Sequence, residues 1–415
     1  MLYNEENLAL DYEWQTPDFE KFTDSDIESY KQWLKDSRLK KPEEIENARA
    51  VTSYPDGLEI TNAWGGWLSN GKWADWRRFC IDRNYASIPD GVIKVTPDFT
   101  KTGNYIKLGA DYWKSAKKFP LLAFDFDGDA KGRGAMRFAE VCDLAVSAAA
   151  SEGKDCFFAG DTDRLKAYLA LGCGVKGVKY RDKATDTLSE RLSKAEKISD
   201  RIAMVFSEYS MASFASFGTD KQYRPIGRMA QVYSKLTDMG YQVDFIRADE
   251  LSKEDTPVRI AIVPDRDGYS WYELVKLDKF GKEKGTTLIY TAAGQYEKWS
   301  FDAPKKNFYS YYKEAILEHE LLDATIRPTV SANADGIILR GVEGDGYKII
   351  CVANTSAGAV TARLTLNNTA KARRAVAYSG DSELPLTCNS QNGKSVVALP
   401  SISAGDAILL LIEGV

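Results

Sequence analysis

RIAIVPDRDGYSWYELVKLDKFGKEKGTTLIYTAAG (259–294), read together with RIAMVFSEY (201–209), decides the fold. RIAMVFSEY is an apolar run of strand length. An amphipathic helix pattern follows from Tyr223 to Met239, then YQVDFIRADEL (241–251) and VRIAIVPD (258–265). A second helix pattern, WYELVKLDKFGKEKG (271–285), leads into TTLIYTAAG (286–294). Strands alternating with helices at this spacing predict βαβ units and a parallel sheet. An α/β region with acidic strand ends precedes this unit, and an all-β tail follows it.

The chain has 415 residues, enough for two or three domains. Hydrophobic residues at 44% and charged residues at 28% are those of a globular chain. Lys plus Arg number 55 and Asp plus Glu 60, a net charge of −5, which gives no electrostatic reason to expect a nucleic acid or an anionic membrane as partner. No run reaches the ~18 apolar residues of a membrane span. MLYNEENLALDYEW (1–14) has neither the basic start nor the apolar stretch of a signal peptide, and it leaves the compartment open. The six cysteines form no CxxC pair, which predicts buried apolar thiols and no metal site. The one histidine, His319, lies in a polar helical run and is a poor base for a nucleophilic triad. No cofactor is expected.

The first region, 1–197, has strand candidates LALDYEW (8–14), LEITNAWGG (58–66), YIKLGADYW (105–113), PLLAFDFDGD (120–129), DCFFAGD (155–161) and GVKGVKY (174–180). Helix patterns at 24–36, 73–85, 133–153 and 162–172 separate several of them. The β–α–β–α–β order of 120–180 fits consecutive units of a parallel barrel or an open sheet. The charged stretch 182–198 leads out as a helix or linker. The second domain, 198–322, is the α/β unit quoted above. The third, 323–415, has IILRGVE (337–343), YKIICVANTS (347–356), AVTARLTLN (359–367), RRAVAYSG (373–380), SVVALPSI (395–402) and AILLLIE (407–413), which predict an antiparallel β-sandwich.

Parallel α/β domains place their sites at the carboxyl ends of strands. That rule selects Asp11 and Glu13 from LALDYEW, Asp125, Asp127 and Asp129 from LLAFDFDGD, and Asp161 and Asp163 from CFFAGDTD. Trp14, Trp64, Trp67 and Trp113 lie at or near other strand ends. Carboxylates beside tryptophans suit carbohydrate chemistry: sugar C–H faces stack on rings, and acetal cleavage needs two carboxyl groups, one of them protonated. Simpler roles stand beside these. Asp161 also suits the N-cap of the following helix, DFDGD suits a solvated turn or a cation loop, and the tryptophans suit core or interface packing. The second domain has no cysteine for a glutamine amidotransferase nucleophile. SEYSMASFASFGTD (207–220) lacks the compact glycine loop of a flavin phosphate site.

The order of parts, with RIAMVFSEYS, RMAQVYSKLTDMGYQVDFIRADEL, the 259–294 stretch and the closing ISAGDAILLLIEG, resembles glycoside hydrolase family 42 β-galactosidases and their relatives. The resemblance implies a partial or atypical (β/α) barrel that begins part-way through, an amidotransferase-like domain without its cysteine, and a β-sandwich. It also implies a β-linked carbohydrate substrate and a homo-oligomer, dimer or trimer. That family places a Glu after Asn at its fourth barrel strand and a second Glu at its seventh. Here Glu13 follows Tyr12, and the later strand offers Asp161. The expected catalytic groups are therefore Glu13 as acid/base with Asp161, Asp125 or Asp127 as nucleophile or base, and Asp11, Trp14, Trp64, Trp67 and Trp113 are expected to bind substrate. A non-catalytic glycan-binding or oligomerisation module is the alternative.

Overall fold

The computed structural model describes residues 22–37, 42–48, 76, 79, 80, 83, 94–95, 113, 116–117, 122–126, 130, 132–207, 224–248, 251, 258–264, 269, 271–292, 295–299, 311–312, 326–367, 372–391 and 393–415. In the first region α1 (Asp24–Ser37) and α2 (Pro42–Glu46) close a small aromatic core with Trp76 and Phe79. The Tyr30 and Trp76 rings meet edge-to-face at 5.1 Å, and Arg83 pairs with Asp26 at 2.7 Å. Four short strands follow in sequential order, β1 (Lys94–Val95), β2 (Leu122–Phe124), β3 (Cys156–Phe158) and β4 (Gly177–Val178), all parallel.

The helices between them follow from the apolar spacing. In α3 (Arg133–Ala150) Phe138, Cys142 and Ala145 are fully buried against the sheet, and the chain leaves the helix through Ser151 to Gly153 at φ 65. Leu122, Phe124 and Phe126 share the core of α3, where Phe126 and Phe138 meet at 5.2 Å. Next come α4 (Arg164–Gly172) and α5 (Lys183–Lys194), the latter opened by an Asp182–Thr185 capping box. Thus 182–198 is mostly helix. Its end, β5 (Glu196–Lys197), crosses to pair with a strand of the carboxyl-terminal region.

The middle sheet has β6 (Ile202–Phe206), β7 (Val243–Arg247), β8 (Ile260–Val263), β9 (Thr287–Ala292), β10 (Gln295–Trp299) and β11 (Tyr311–Tyr312) in the order β11-β10-β9-β8-β6-β7. β7, β6, β8 and β9 are parallel. Every residue of β6 and β8 is buried, as a sheet covered on both faces requires. Met204 and Phe206 face the core shared with α6 (Arg224–Asp238) and α3, while Ala203 and Val205 face α7 (Trp271–Lys284). β10 and β11 add an antiparallel edge that the apolar periodicity does not mark.

The last region has β12 (Val330–Ala332), β13 (Ile337–Gly344), β14 (Tyr347–Asn354), β15 (Arg363–Leu366), β16 (Arg374–Ser379), β17 (Ser382–Leu386), β18 (Cys388–Gln391), β19 (Lys394–Ala398) and β20 (Ala407–Glu413). They form two antiparallel sheets, β12-β15-β19-β18 and β17-β16-β20-β14-β13-β5. Leu364, Leu366 and Val397 of the smaller sheet meet Leu339, Ile350, Val352 and Leu410 of the larger. The opposite face of the larger sheet, with Ile338, Ile349, Cys351, Leu409 and Leu411, joins the core of α3 and α4.

A buried polar cluster ties the three regions together. Arg340 on β13 and Asp143 on α3 are both fully buried, with Arg340 Nε 2.9 Å from Asp143 Oδ2. Arg340 also donates to Thr237 Oγ1 at 2.7 Å and to the Tyr233 hydroxyl on α6, and that hydroxyl donates to Asp143 Oδ2 at 2.6 Å. The Lys197 ammonium lies 3.0 Å from Asp143 Oδ1 and 3.1 Å from Asp244 Oδ1, and pairs with both carboxylates. Four of the six cysteines, Cys142, Cys156, Cys173 and Cys351, are buried nearby. Burial pushes the thiols of Cys142, Cys156 and Cys351 well up.

Candidate functional site

Asp125 and Asp161 stand at the carboxyl ends of two adjacent parallel strands. Asp125 follows β2 directly, and its Oδ1 accepts from the Phe126 N–H at 2.7 Å. The β2–β3 ladder runs one residue past β3, where Ala159 N–H donates to Phe124 O at 2.7 Å. Gly160 therefore lies alongside Asp125. A Cβ placed on Gly160 would collide with the Asp125 carboxylate and would come within 2.8 Å of Phe158 Cζ. Asp161 is the next residue, so both acids lie at the carboxyl ends of neighbouring strands. Asp125 is half-buried and Asp161 is exposed.

The cap of α4 is Asp163, not Asp161. The Asp163 side chain accepts from Lys166 N–H at 2.9 Å, and its backbone is extended, as an N-cap requires. The helix starts two residues later than the apolar pattern alone suggests, because Thr162 Oγ1 turns back to donate to Gly160 O at 2.8 Å.

Trp113 lies apart from the acids. It sits in helical backbone, as do Ala116 and Lys117, where the sequence pattern predicts the end of a strand. Its ring is 2% exposed and stacks on Phe206 at 5.2 Å, in the seam between the first region and the middle sheet. At 2% exposure no face is open to a sugar ring. Asp11, Glu13, Trp14, Trp64, Trp67, Asp127 and Asp129 lie outside the described residues.

A groove of about 670 Å³ opens in the same seam, lined by Trp113, Ser147, Lys154, Asp155, Lys176 and Asp244 among others. Asp155 and Lys176 precede β3 and β4, so this groove is at the strands' amino ends, away from Asp125 and Asp161. Its lysines already serve the fold: Lys154 Nζ donates to Ala116 O, Lys176 Nζ to Ala195 O, and Lys197 Nζ to Val243 O at 2.5 Å. Burial lowers the Lys176 ammonium below its ordinary value.

In the middle sheet the strand order reverses between β6 and β8, where α/β folds open a ligand crevice. There Ser207 donates to Glu273 Oε1 at 2.7 Å with both side chains buried, and Tyr269 donates to Val205 O at 2.8 Å. These contacts tie the tip of β6 to the first turn of α7. Among the described residues no group of three His, Cys, Asp or Glu side chains could hold a metal ion, and no helix is long and apolar enough to cross a membrane.

The strand-end rule places Asp125 and Asp161 after β2 and β3, where they lie, but does not select Gly160, whose place between an apolar strand and an acid is the available signal for close backbone approach.

No protein-family model matches the sequence, and no curated protein matches it either. Solved structures do match. The β-galactosidase from Bacillus circulans sp. alkalophilus superposes with a TM-score of 0.58 at 13% identity, over 94% of this chain and 77% of that one. A catalytic mutant of a GH42 β-galactosidase from G. stearothermophilus gives 0.58 at 12% identity, over 93% and 75%. The apo GH42 exo-carrageenase from Bacteroides ovatus gives 0.54 at 13%, over 95% and 64%. The α/β multidomain architecture of this chain, with its parallel and antiparallel sheets, is therefore similar in fold to that of the GH42 β-galactosidases.

Proposed function

We propose that the chain is a glycoside hydrolase-related protein that cleaves a β-linked oligosaccharide or glycoside with two carboxyl groups. The observation that carries this reading is the seating of the Asp125 carboxylate against Gly160, one residue before Asp161, at the carboxyl ends of adjacent parallel strands. Similarity in fold to glycosidases supports it. The sequential order β1-β2-β3-β4 supports a (β/α) barrel around the site, since consecutive barrel strands are neighbours. The two antiparallel sheets support a β-sandwich as the third domain. The domain limits proposed are 1–197, 198–322 and 323–415.

In this mechanism Glu13 is the acid/base, and Asp161, Asp125 or Asp127 attacks the anomeric carbon or activates water. Asp11, Trp14, Trp64 and Trp67 bind the sugar. The paired acids lie roughly 5–5.5 Å apart for retention or roughly 6.5–9.5 Å for inversion. Trp113 is a packing residue, and the active form is a homo-oligomer.

The test is turnover of chromogenic galactosides, glucosides and related sugars by the full chain and by Asp125→Asn, Asp161→Asn and Glu13→Gln. Turnover that falls by about 10²–10⁴-fold in Glu13→Gln and in one of the aspartate variants supports the reading. Glycan binding without turnover would make the chain a non-catalytic binding module.

A further inference from the structure

We infer that Gly160 is a positioning residue for Asp125: the missing side chain at 160 is the seat in which the Asp125 carboxylate rests. The inference builds on the functional reading above and assigns a role that the acids alone do not reveal. Gly160 does not have the left-handed backbone of Gly153 or Gly174, so conformation does not demand glycine there. Space does. An ideal Cβ would overlap the Asp125 carboxylate oxygen and stand 2.9 Å from its Cγ and 2.8 Å from Phe158 Cζ.

The surroundings cannot yield to such a Cβ. Phe158 is fully buried, with its ring 5.3 Å from Phe124 and 5.0 Å from Phe138. The backbone is fixed on one side by the Ala159 N–H to Phe124 O bond and on the other by Thr162 Oγ1 on Gly160 O. Asp125 is what would move. Its carboxylate would leave Gly160 and the Phe126 N–H that it now accepts from.

Two double-mutant cycles test this on the full-length chain. In the first, Gly160→Ala lowers kcat by about 10²-fold with KM little changed, the expected effect of a misplaced group. In the Asp125→Asn background the same change costs nothing further; additive losses would overturn the proposal. The second cycle reads thermal unfolding and needs no activity. Gly160→Ala lowers Tm by roughly 2–4 °C. Adding Asp125→Ala empties the seat and recovers the part of that loss due to the carboxylate, while the contact of the new Cβ with Phe158 Cζ remains. If Gly160→Ala alone does not fold, recovery of a folded Asp125→Ala/Gly160→Ala protein supports the seat. A loss that Asp125→Ala does not relieve overturns it. An inactive wild-type chain would refute the glycosidase reading, yet the second cycle would still decide whether Gly160 seats Asp125.

Discussion

Glu140 shows how a single residue sets a pH response. It sits on α3, 3% exposed, with one carboxylate oxygen on Arg137 and the other, Oε1, without a hydrogen-bond partner among the described residues. Burial holds its carboxyl above the usual value, against the pull of Arg137, and Asp143 one turn on pushes the same way. A carboxyl raised in the folded state binds its proton more tightly there than in the unfolded chain. Its contribution to stability is therefore complete below the ordinary value of 4.5 and is lost as pH rises through the folded value. Glu140→Gln, which carries no charge to desolvate, is expected to unfold at a higher temperature than wild type at pH 7. The gap should close below pH 4.5. Thermal melts across this range check the prediction, and a constant gap would contradict it.

At the scale of elements, α4 joins the first region to the larger antiparallel sheet, and both its ends can be probed. Asp163→Ala removes the side chain that serves the Lys166 N–H and should cost about 1 kcal/mol by denaturant unfolding. Asp161→Ala should cost little, because Asp161 does not cap this helix. At the other end, Gly172 lets the helix lie directly on β13 and β14. A Cβ there would stand 2.6 Å from Cys351 Cβ and 3.0 Å from Arg340 O. Alanine is ordinarily the better helix former, yet Gly172→Ala should destabilise by about 1–3 kcal/mol, since overpacking outweighs propensity. Edge strands are a second lesson at this scale. β12, β17 and β18 each end a sheet, and β17 is exposed and carries Pro385. Polar residues and proline protect edges from wrong pairing, and they also erase the apolar alternation by which strands are found.

Across the whole molecule, Arg340 and Asp143 link the three regions through buried hydrogen bonds. Arg340 reaches α3 through Asp143 and α6 through Tyr233 and Thr237. Asp200 adds a second tie, accepting from Gln242 N–H at 2.7 Å and from Thr329 N–H at 2.8 Å. Calorimetry is expected to show one dominant transition, and separate melting of the last region would contradict this. Arg340→Ala should cost about 3–5 kcal/mol, because it strips a fully buried carboxylate of its guanidinium. The double variant Asp143→Leu/Arg340→Met should recover most of that loss, since apolar packing replaces a pair whose desolvation is costly.

From 202 to 292 the sequence by itself determined the elements: IAMVF, VDFIR, IAIV and TLIYTA are strands, and helix patterns separate the first two and the last two as expected. Those patterns arise from the chain's own repeat, two residues per strand pleat and 3.6 per helical turn, so a short window contains them. The strand-end rule also reached Asp125 and Asp161 without any partner in view. Only the tertiary structure decided that Asp163 and not Asp161 caps α4, that Trp113 is packed against Phe206, and that Gly160 gives Asp125 its place. Nor does IILRGVE reveal that Arg340 is wholly buried, since its carboxylate partner is 197 residues away. Such contacts depend on which surfaces meet after folding, and local periodicity carries no record of a neighbour from another part of the chain.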